Sequence, residues 1–417
     1  MEKLKITGGQ TLHGEISVSG AKNAALPAIF ACLLTDEKCV LDNIPALRDV
    51  DLALNVLRTM GVICDYQEGK AHINAASLNT RQAPYHLVKT MRASVLALGP
   101  LLARFHQATV SLPGGCAIGA RPVNMHIDGL RQMGATLKIE HGDIVSKTKK
   151  RLRAANIRLP QPTVTGTENL MMAASLADGE TVIENAAQEP EIIDLAAFLN
   201  KMGAKIRGAG DERIYIMGVD RLRGATHNII PDRIETGTYL CAATAVGGDI
   251  FLKNARLNDL SAVVKKLKAV GAKIQQQQTG IHLLMKNRPR AVSVKTAPHP
   301  GFPTDMQAQW MAVCAIADGA AEITENIFEN RFMHVPELAR MGADLLQHDG
   351  FVAVRGVQQL SGARVMATDL RASASLVIAA LAAQGMTTIE RIYHLDRGYV
   401  RMDEKLQTLG AQIERIH

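Results

Sequence analysis

Residues 112–122 read LPGGCAIGARP, with three Gly and two Pro in eleven positions. That composition marks a loop rather than the interior of a helix or strand. Cys116 sits at its centre and Arg121 lies five residues on. Most cysteines are inert, but an exposed thiol near positive charge has a lowered pKa and becomes a nucleophile or a proton donor. The glycines also suit a lid that orders when substrate binds. Three further places carry candidate chemistry. Residues 19–24, SGAKNA, set Lys22 at the mouth of an apolar stretch, where it either holds a phosphate or stands as a solvated lysine. The Gly-x-x-x-x-Gly-Lys pattern of a nucleotide-phosphate loop is absent. Residues 301–309, GFPTDMQAQ, place Asp305 at a helix start, as an ordinary N-cap or as a general base for a hydroxyl. Arg331, Arg371 and Arg397 lie in ENRF, DLRAS and DRG. They form structural ion pairs, with Asp369 and Asp396 as the nearby partners, or they grip a small anion with guanidinium forks.

Elements that could position these groups recur along the chain. A Leu, two residues, a Met, Val or Leu, and then a Gly appear six times, ending at Gly61, Gly134, Gly203, Gly271, Gly342 and Gly410. The spacings are 73, 69, 68, 71 and 68, so six units of about 70 residues fill the chain. Leu and Met three apart share a helix face, and the Gly beyond them can take the left-handed conformation that ends a helix. The alternating residues that follow read as a strand. Earlier in each unit lies a stretch of small apolar residues, at 24–34, 93–103, 169–176, 236–245, 306–317 and 373–383. Helices apolar nearly all round are buried within a layer. Lys22, Asn23, Arg92, Glu168, Asn169, Arg233, Glu235, Asp305 and Arg371 stand at or near the N-terminal ends of these stretches. Converging helix N-termini make an anion-binding centre. Six such units could build one solenoid or two packed barrels of three; a period above 50 residues favours two globular domains. The break falls near 228–231.

Composition narrows the class. The chain has 417 residues, 47% hydrophobic and 21% charged, with a formal net charge of +7. Extensive disorder is excluded. Aromatics are only 4%, too few for a platform on which single-stranded nucleic-acid bases stack. Five Lys or Arg crowd into 147–153, read as a solvated connection; the others are scattered, which suits a cleft better than a nucleic-acid groove. Six cysteines occur with no C-x-x-C pair, as expected of reduced thiols in a cytosol. No signal-peptide core is visible, and the longest apolar runs reach eleven or twelve residues, short of the roughly 18 that span a bilayer. These features predict a cytoplasmic protein with no membrane or nucleic-acid partner, no metal and no organic cofactor. It is expected to be a monomer or weak homo-oligomer.

With these residues in view, the chain resembles the enolpyruvyl transferases, nearly end to end, and most closely their UDP-sugar branch. The likeness rests on SGAKNA at 19–24, LPGGCAIGARP at 112–122, PDRIETG at 231–237, FPTDMQAQ at 302–309, ENRFMHVP at 329–336, DLRASAS at 369–375 and DRGY at 396–399. It implies two similar inside-out α/β barrel domains, each of three repeated units with buried parallel helices. One would cover 22–230 and carry the Cys116 loop, and the other would combine 1–21 with 231–417. The active site would occupy the cleft between them, closing over substrate. The implied reaction moves the enolpyruvyl group of phosphoenolpyruvate onto the 3-hydroxyl of UDP-N-acetylglucosamine and releases phosphate, by addition and elimination. This is the first committed step of peptidoglycan synthesis. Cys116 corresponds to the loop cysteine that acts as general acid and is alkylated by fosfomycin. Asp305 corresponds to the base near the sugar hydroxyl, and Lys22 and Arg397 complete the catalytic set. Lys22, Asn23, Arg121, Arg331, Arg371 and Arg397 correspond to the phosphoenolpyruvate-binding positions. Asn23, Arg92, Arg121, Pro122, Val123, Asn124, Met125, Thr163, Val164, Thr165, Asp305 and Ile327 correspond to positions meeting the UDP-sugar. Asn124-Met125, Gln161 and 163–167 (TVTGT) depart from the commoner pattern, all at the nucleotide end. The rivals are a 3-phosphoshikimate transferase, which lacks the Gly-Gly-Cys loop, and a non-catalytic UDP-sugar-binding paralogue.

Overall fold

The computed structural model describes residues 2–83, 85–88, 91–112 and 123–416. Cys116, Arg121 and Pro122 lie outside the described residues. By proximity of Cα atoms the chain divides into two compact units. One joins Met1–Ser19 to Pro231–His417, and the other is drawn from 20–230. Gly20 and Ala21 thus belong with the second unit, two residues earlier than position 22. The reason is local: the Ala21 N–H donates to the Ile230 carbonyl at 2.7 Å. A Cβ on Gly20 would stand 1.7 Å from the Asn43 carbonyl oxygen, so only glycine fits there.

Each unit builds three four-stranded sheets. Among the described residues each four-stranded sheet is mixed, three antiparallel strands taking one parallel strand at the edge, and Leu360–Ser361 forms a separate parallel pair with Ala383–Gln384. In one, Gly248–Lys253 pairs antiparallel with Gly280–Met285 and parallel with Leu12–Ser17. In another, Lys3–Thr7 pairs antiparallel with both Met386–Glu390 and Gln412–Ile416. The N-terminal strands therefore complete sheets made otherwise from residues beyond 231. This explains why the first nineteen residues fold with 231–417.

The amphipathic helices of the repeat are Arg48–Thr59, Asn124–Gln132, Pro190–Lys201, Ser261–Ala269, Val335–Arg340 and Met402–Thr408. The glycines that follow them, from Gly61 to Gly410, all have φ between 87° and 115°. A residue with a Cβ is strained in that region, which accounts for the sixfold recurrence of glycine. The apolar stretches form the helices Lys22–Ala31, Leu98–Phe105, Val164–Ala174, Arg233–Val246, Gln307–Ala315 and Leu370–Ala382. They are buried almost all round. In Leu370–Ala382 every residue from Arg371 to Leu381 is buried. In the first unit the three helices Arg233–Val246, Gln307–Ala315 and Leu370–Ala382 pack on one another. Trp310 lies fully buried among them, and its indole N–H donates to the Val292 carbonyl at 2.9 Å. Among the described residues no helix is long and apolar enough to cross a membrane.

Candidate active site

In the first unit Asp305 begins not as a cap but as an ion-pair centre. Pro303 leads into a 3-10 turn, Thr304–Met306, which runs on into the buried helix Gln307–Ala315. The Asp305 side chain caps neither element. Arg331 donates from Nη2 to Oδ1 at 2.8 Å, and Arg371 donates from Nε and Nη2 to Oδ2 at 3.2 and 3.1 Å. Both arginines are almost fully buried, at 4% and 2% exposure, whereas the Asp305 side chain is 27% exposed. A partly exposed carboxylate is thus held between two buried guanidiniums. Each arginine has its Nη1 buried and unpartnered within the described residues. Two donors beside one carboxylate can receive oxygens of a small anion.

The expected partners of the arginines are corrected here. Asp369 is the N-cap of Leu370–Ala382, accepting from the N–H groups of Arg371 at 2.8 Å and Ala372 at 3.0 Å. Asp396 accepts two bonds from Arg415, at 3.0 and 2.8 Å. Asp369 serves the backbone and Asp396 a distant arginine, while the pairing with Asp305 joins residues 26 and 66 positions away. Burial acts to lower the Arg371 pKa, but the Tyr399 phenol, Asp305 and Asp232 outweigh it and hold it above its ordinary value. Arg397 ends the 3-10 turn Ile392–Arg397 and is half-buried. Ile327 is half-buried on the segment that precedes Arg331; its N–H donates to Glu325 Oε1 at 2.8 Å. Glu325 also accepts from Thr304 Oγ1 at 2.8 Å and Thr296 Oγ1 at 2.9 Å, so one buried carboxylate ties the Asp305 turn to the Ile327 segment.

In the second unit Lys22 opens the buried helix Lys22–Ala31 and is 7% exposed, so it is not a solvated lysine. Its Nζ pairs with Asp49 Oδ2 at 3.2 Å. Asp49 lies in the first turn of Arg48–Thr59, where the helix dipole also favours a carboxylate. Asn23, next in the chain, is half-buried.

The residues expected at the nucleotide end gather around His126. Val123 precedes the helix Asn124–Gln132, with Asn124 exposed and Met125 half-buried. Thr163 caps Val164–Ala174 by accepting from the Gly166 N–H at 3.3 Å. His126 joins the two helix starts. Asn169 Nδ2 stands 2.9 Å from its Nδ1, and Thr165 Oγ1 stands 3.3 Å from its Nε2. An Asn amide nitrogen only donates, so Nδ1 accepts and the proton sits on Nε2. Burial, with the Arg92 charge nearby, pushes the His126 pKa down to about 4, so the ring is neutral. Arg92 itself is half-buried at the start of the 3-10 segment Arg92–Ala97.

The structure therefore brings together Asp305, Arg331 and Arg371 in one unit, and in the other His126 ties its own helix, Asn124–Gln132, to Thr165, with the Arg92 charge nearby. Asp49, His126, Glu325 and Tyr399 were not picked out from the sequence. Asp49, His126 and Tyr399 meet candidate residues from distant segments, while Glu325 joins Ile327 to the turn that carries Asp305. Among the described residues no group of three or more His, Cys, Asp or Glu is placed to hold a metal ion.

Similarity to known proteins agrees with this architecture. The enolpyruvyl transferase NikO from Streptomyces tendae superposes with a TM-score of 0.89 at 24% identity, over 99% of this chain and 98% of that one. EPSP synthase from Acinetobacter baumannii superposes with a TM-score of 0.78 at 18% identity, with all of both chains covered. A second structure of that enzyme gives 0.77 at 18% identity. At these identities the likeness defines the fold, which is the two-domain α/β fold of enolpyruvyl transferases. Residues 6–406 match the family model of EPSP synthase (3-phosphoshikimate 1-carboxyvinyltransferase), and the chain belongs to that family.

Proposed function

We propose that the protein is a UDP-N-acetylglucosamine 1-carboxyvinyltransferase, taking the enolpyruvyl group from phosphoenolpyruvate and opening peptidoglycan synthesis. The observation that carries the donor is the Asp305–Arg331–Arg371 group: a partly exposed carboxylate beside two buried guanidiniums, each with its Nη1 unpartnered among the described residues. The acceptor rests on the Gly-Gly-Cys loop at 114–116, which the shikimate branch of the family lacks.

In this reaction Asp305 takes the proton from the sugar 3-hydroxyl as the oxygen bonds to C2 of phosphoenolpyruvate. Cys116 delivers a proton to C3, which makes the tetrahedral ketal. Loss of a proton from C3 then expels phosphate and restores the double bond, now in the enolpyruvyl ether. Lys22, Asn23, Arg121, Arg331, Arg371 and Arg397 balance charge on the phosphate and carboxylate. Arg92, Arg121–Met125, Thr163–Thr165 and Ile327 hold the UDP-sugar. A neutral His126 ties the two helix starts together at this end.

The test is phosphate release from phosphoenolpyruvate with UDP-N-acetylglucosamine and, separately, with shikimate 3-phosphate, the product identified by mass. Turnover with the sugar nucleotide supports the assignment. Turnover with shikimate 3-phosphate alone moves the protein to the other branch of its family.

A further inference from the structure

Tyr399 has no role in the assignments above, yet its buried hydroxyl organises the ground beneath Asp305. It is 2% exposed and follows the turn that ends at Arg397. Its oxygen lies 2.9 Å from Thr238 Oγ1 and 3.2 Å from Gln309 Nε2. Gln309 Nε2 also stands 3.1 Å from Thr238 Oγ1 and 2.9 Å from the main-chain oxygen of Asp305. Thr238 Oγ1 donates to the Ile234 carbonyl at 2.8 Å.

Proton counting assigns the direction of these bonds. A hydroxyl carries one proton. That of Thr238 is committed to Ile234, so Tyr399 must donate to Thr238. The phenol oxygen is left as an acceptor facing the Gln309 amide, whose two protons are shared among Tyr399, Thr238 and the Asp305 carbonyl. Arg371 lies over the same ring, with Cζ 5.4 Å from the centroid. The charged groups acting on Arg371 are Asp305 and Asp232, with the phenol beside them. Three buried helices meet in this network: Arg233–Val246 through Thr238, Gln307–Ala315 through Gln309, and Leu370–Ala382 through Arg371.

We infer that Tyr399 is a positioning residue: its hydroxyl locks Gln309 and supports Arg371, and so fixes the Asp305 carboxylate against its guanidinium. A purely apolar core would hold the helices together but would not orient a polar side chain this way. In a low-dielectric core such hydrogen bonds are strengthened and hold their members' orientation.

The kinetic consequence rests on the proposed transferase reaction, and a second readout does not. Tyr399→Phe keeps the ring and removes only the hydroxyl. In the active enzyme kcat should fall roughly 10- to 100-fold, as small misplacements near reacting groups do, with KM for the acceptor unchanged within about twofold. The acid limb of the rate profile should move to higher pH, because a looser Arg371 favours the ionised carboxylate less. Thr238→Val should reproduce the shift, and Thr238→Ser should not. The second readout is the Arg371 Nε–H resonance in a 15N-labelled sample, assigned with Arg371→Lys. It should be sharp and exchange-protected in the natural protein and broadened or exposed in Tyr399→Phe and Thr238→Val. If wild-type protein turns over neither acceptor, the functional assignment fails and the resonance alone decides the positioning role. An unchanged resonance, or unchanged kcat and acid limb in a folded Tyr399→Phe enzyme, overturns it.

Discussion

Arg371 and Asp305 stand 66 positions apart in the chain, and two nitrogens of the one guanidinium, Nε and Nη2, converge on the same oxygen, Oδ2, of the other. The second oxygen is taken by Arg331 at 2.8 Å. A carboxylate shared in this way is oriented and still partly open to solvent. Replacing Asp305 by Asn keeps its shape and removes its charge and basicity. Turnover should fall about 10²- to 10⁴-fold, the usual range for a lost general base. Phosphate release measures it; a variant within threefold of the natural enzyme would deny Asp305 that role.

The Lys22–Asp49 pair has both side chains 8% exposed. Removing the carboxylate takes one partner from a buried ammonium, and breaking a buried pair is destabilising. Asp49→Ala should therefore lower the denaturant midpoint clearly and raise KM for phosphoenolpyruvate, while Asp49→Glu should recover part of both. Denaturant unfolding and steady-state kinetics report the two effects. An unchanged midpoint would mean that the pair contributes nothing to the fold.

Thiol chemistry should single out Cys116. Cys32, Cys39, Cys241 and Cys314 are buried. Cys64 is only partly covered, but burial pushes its thiol up to about 12, with Arg58 opposing weakly. The attacking species is the thiolate, so iodoacetamide or fosfomycin at neutral pH should modify Cys116 first, with loss of activity in proportion. Peptide mass mapping identifies the site. Cys116→Ala should keep the melting temperature and lose turnover. Modification of Cys64 ahead of Cys116, or full activity in the alanine variant, would contradict this.

Acid should destabilise the protein through two buried histidines. Burial, with Arg92 nearby, takes His126 down to about 4. Burial also takes His334 down to about 4, with Arg331 adding to the shift and Asp369 opposing it. An unfolded histidine titrates near 6.5. Between about pH 6.5 and 4 the unfolded chain binds protons that the folded chain refuses, so stability rises with pH across that window and is fully present above it. Each ring contributes roughly 3 kcal/mol of this acid sensitivity. Chemical denaturation at pH 7 and pH 5 should show the loss, and His334→Gln should flatten the dependence. A pH-independent midpoint over that range would contradict the burial of both rings as neutral groups.

The repeat explains how much of this was legible beforehand. Leu–x–x–Met–Gly is a local signal, because the residues share one helix turn and the glycine φ is a property of one position; all six instances fold as read. The buried helices were equally visible, since an alanine-rich stretch without a polar face has nowhere else to go. Asp305 was singled out by Pro303 and the helix start, but its partners were not. Asp369 and Asp396 looked suited to the arginines by proximity in sequence, and the structure uses one as a helix cap and the other for Arg415. Partner choice among charges is decided by tertiary geometry. Lys22 was ambiguous for the same reason, as Asp49 lies 27 positions away. Glu325 and Tyr399 act through hydrogen bonds to distant hydroxyls and amides, and no periodicity or spacing announces such contacts.

The most direct measurement is phosphate release from phosphoenolpyruvate, with each candidate acceptor supplied to the same preparation. Release that requires UDP-N-acetylglucosamine, yields its 3-enolpyruvyl ether and stops when Cys116 is alkylated is the predicted result. Release with shikimate 3-phosphate and not with the sugar nucleotide, or with neither, would contradict it.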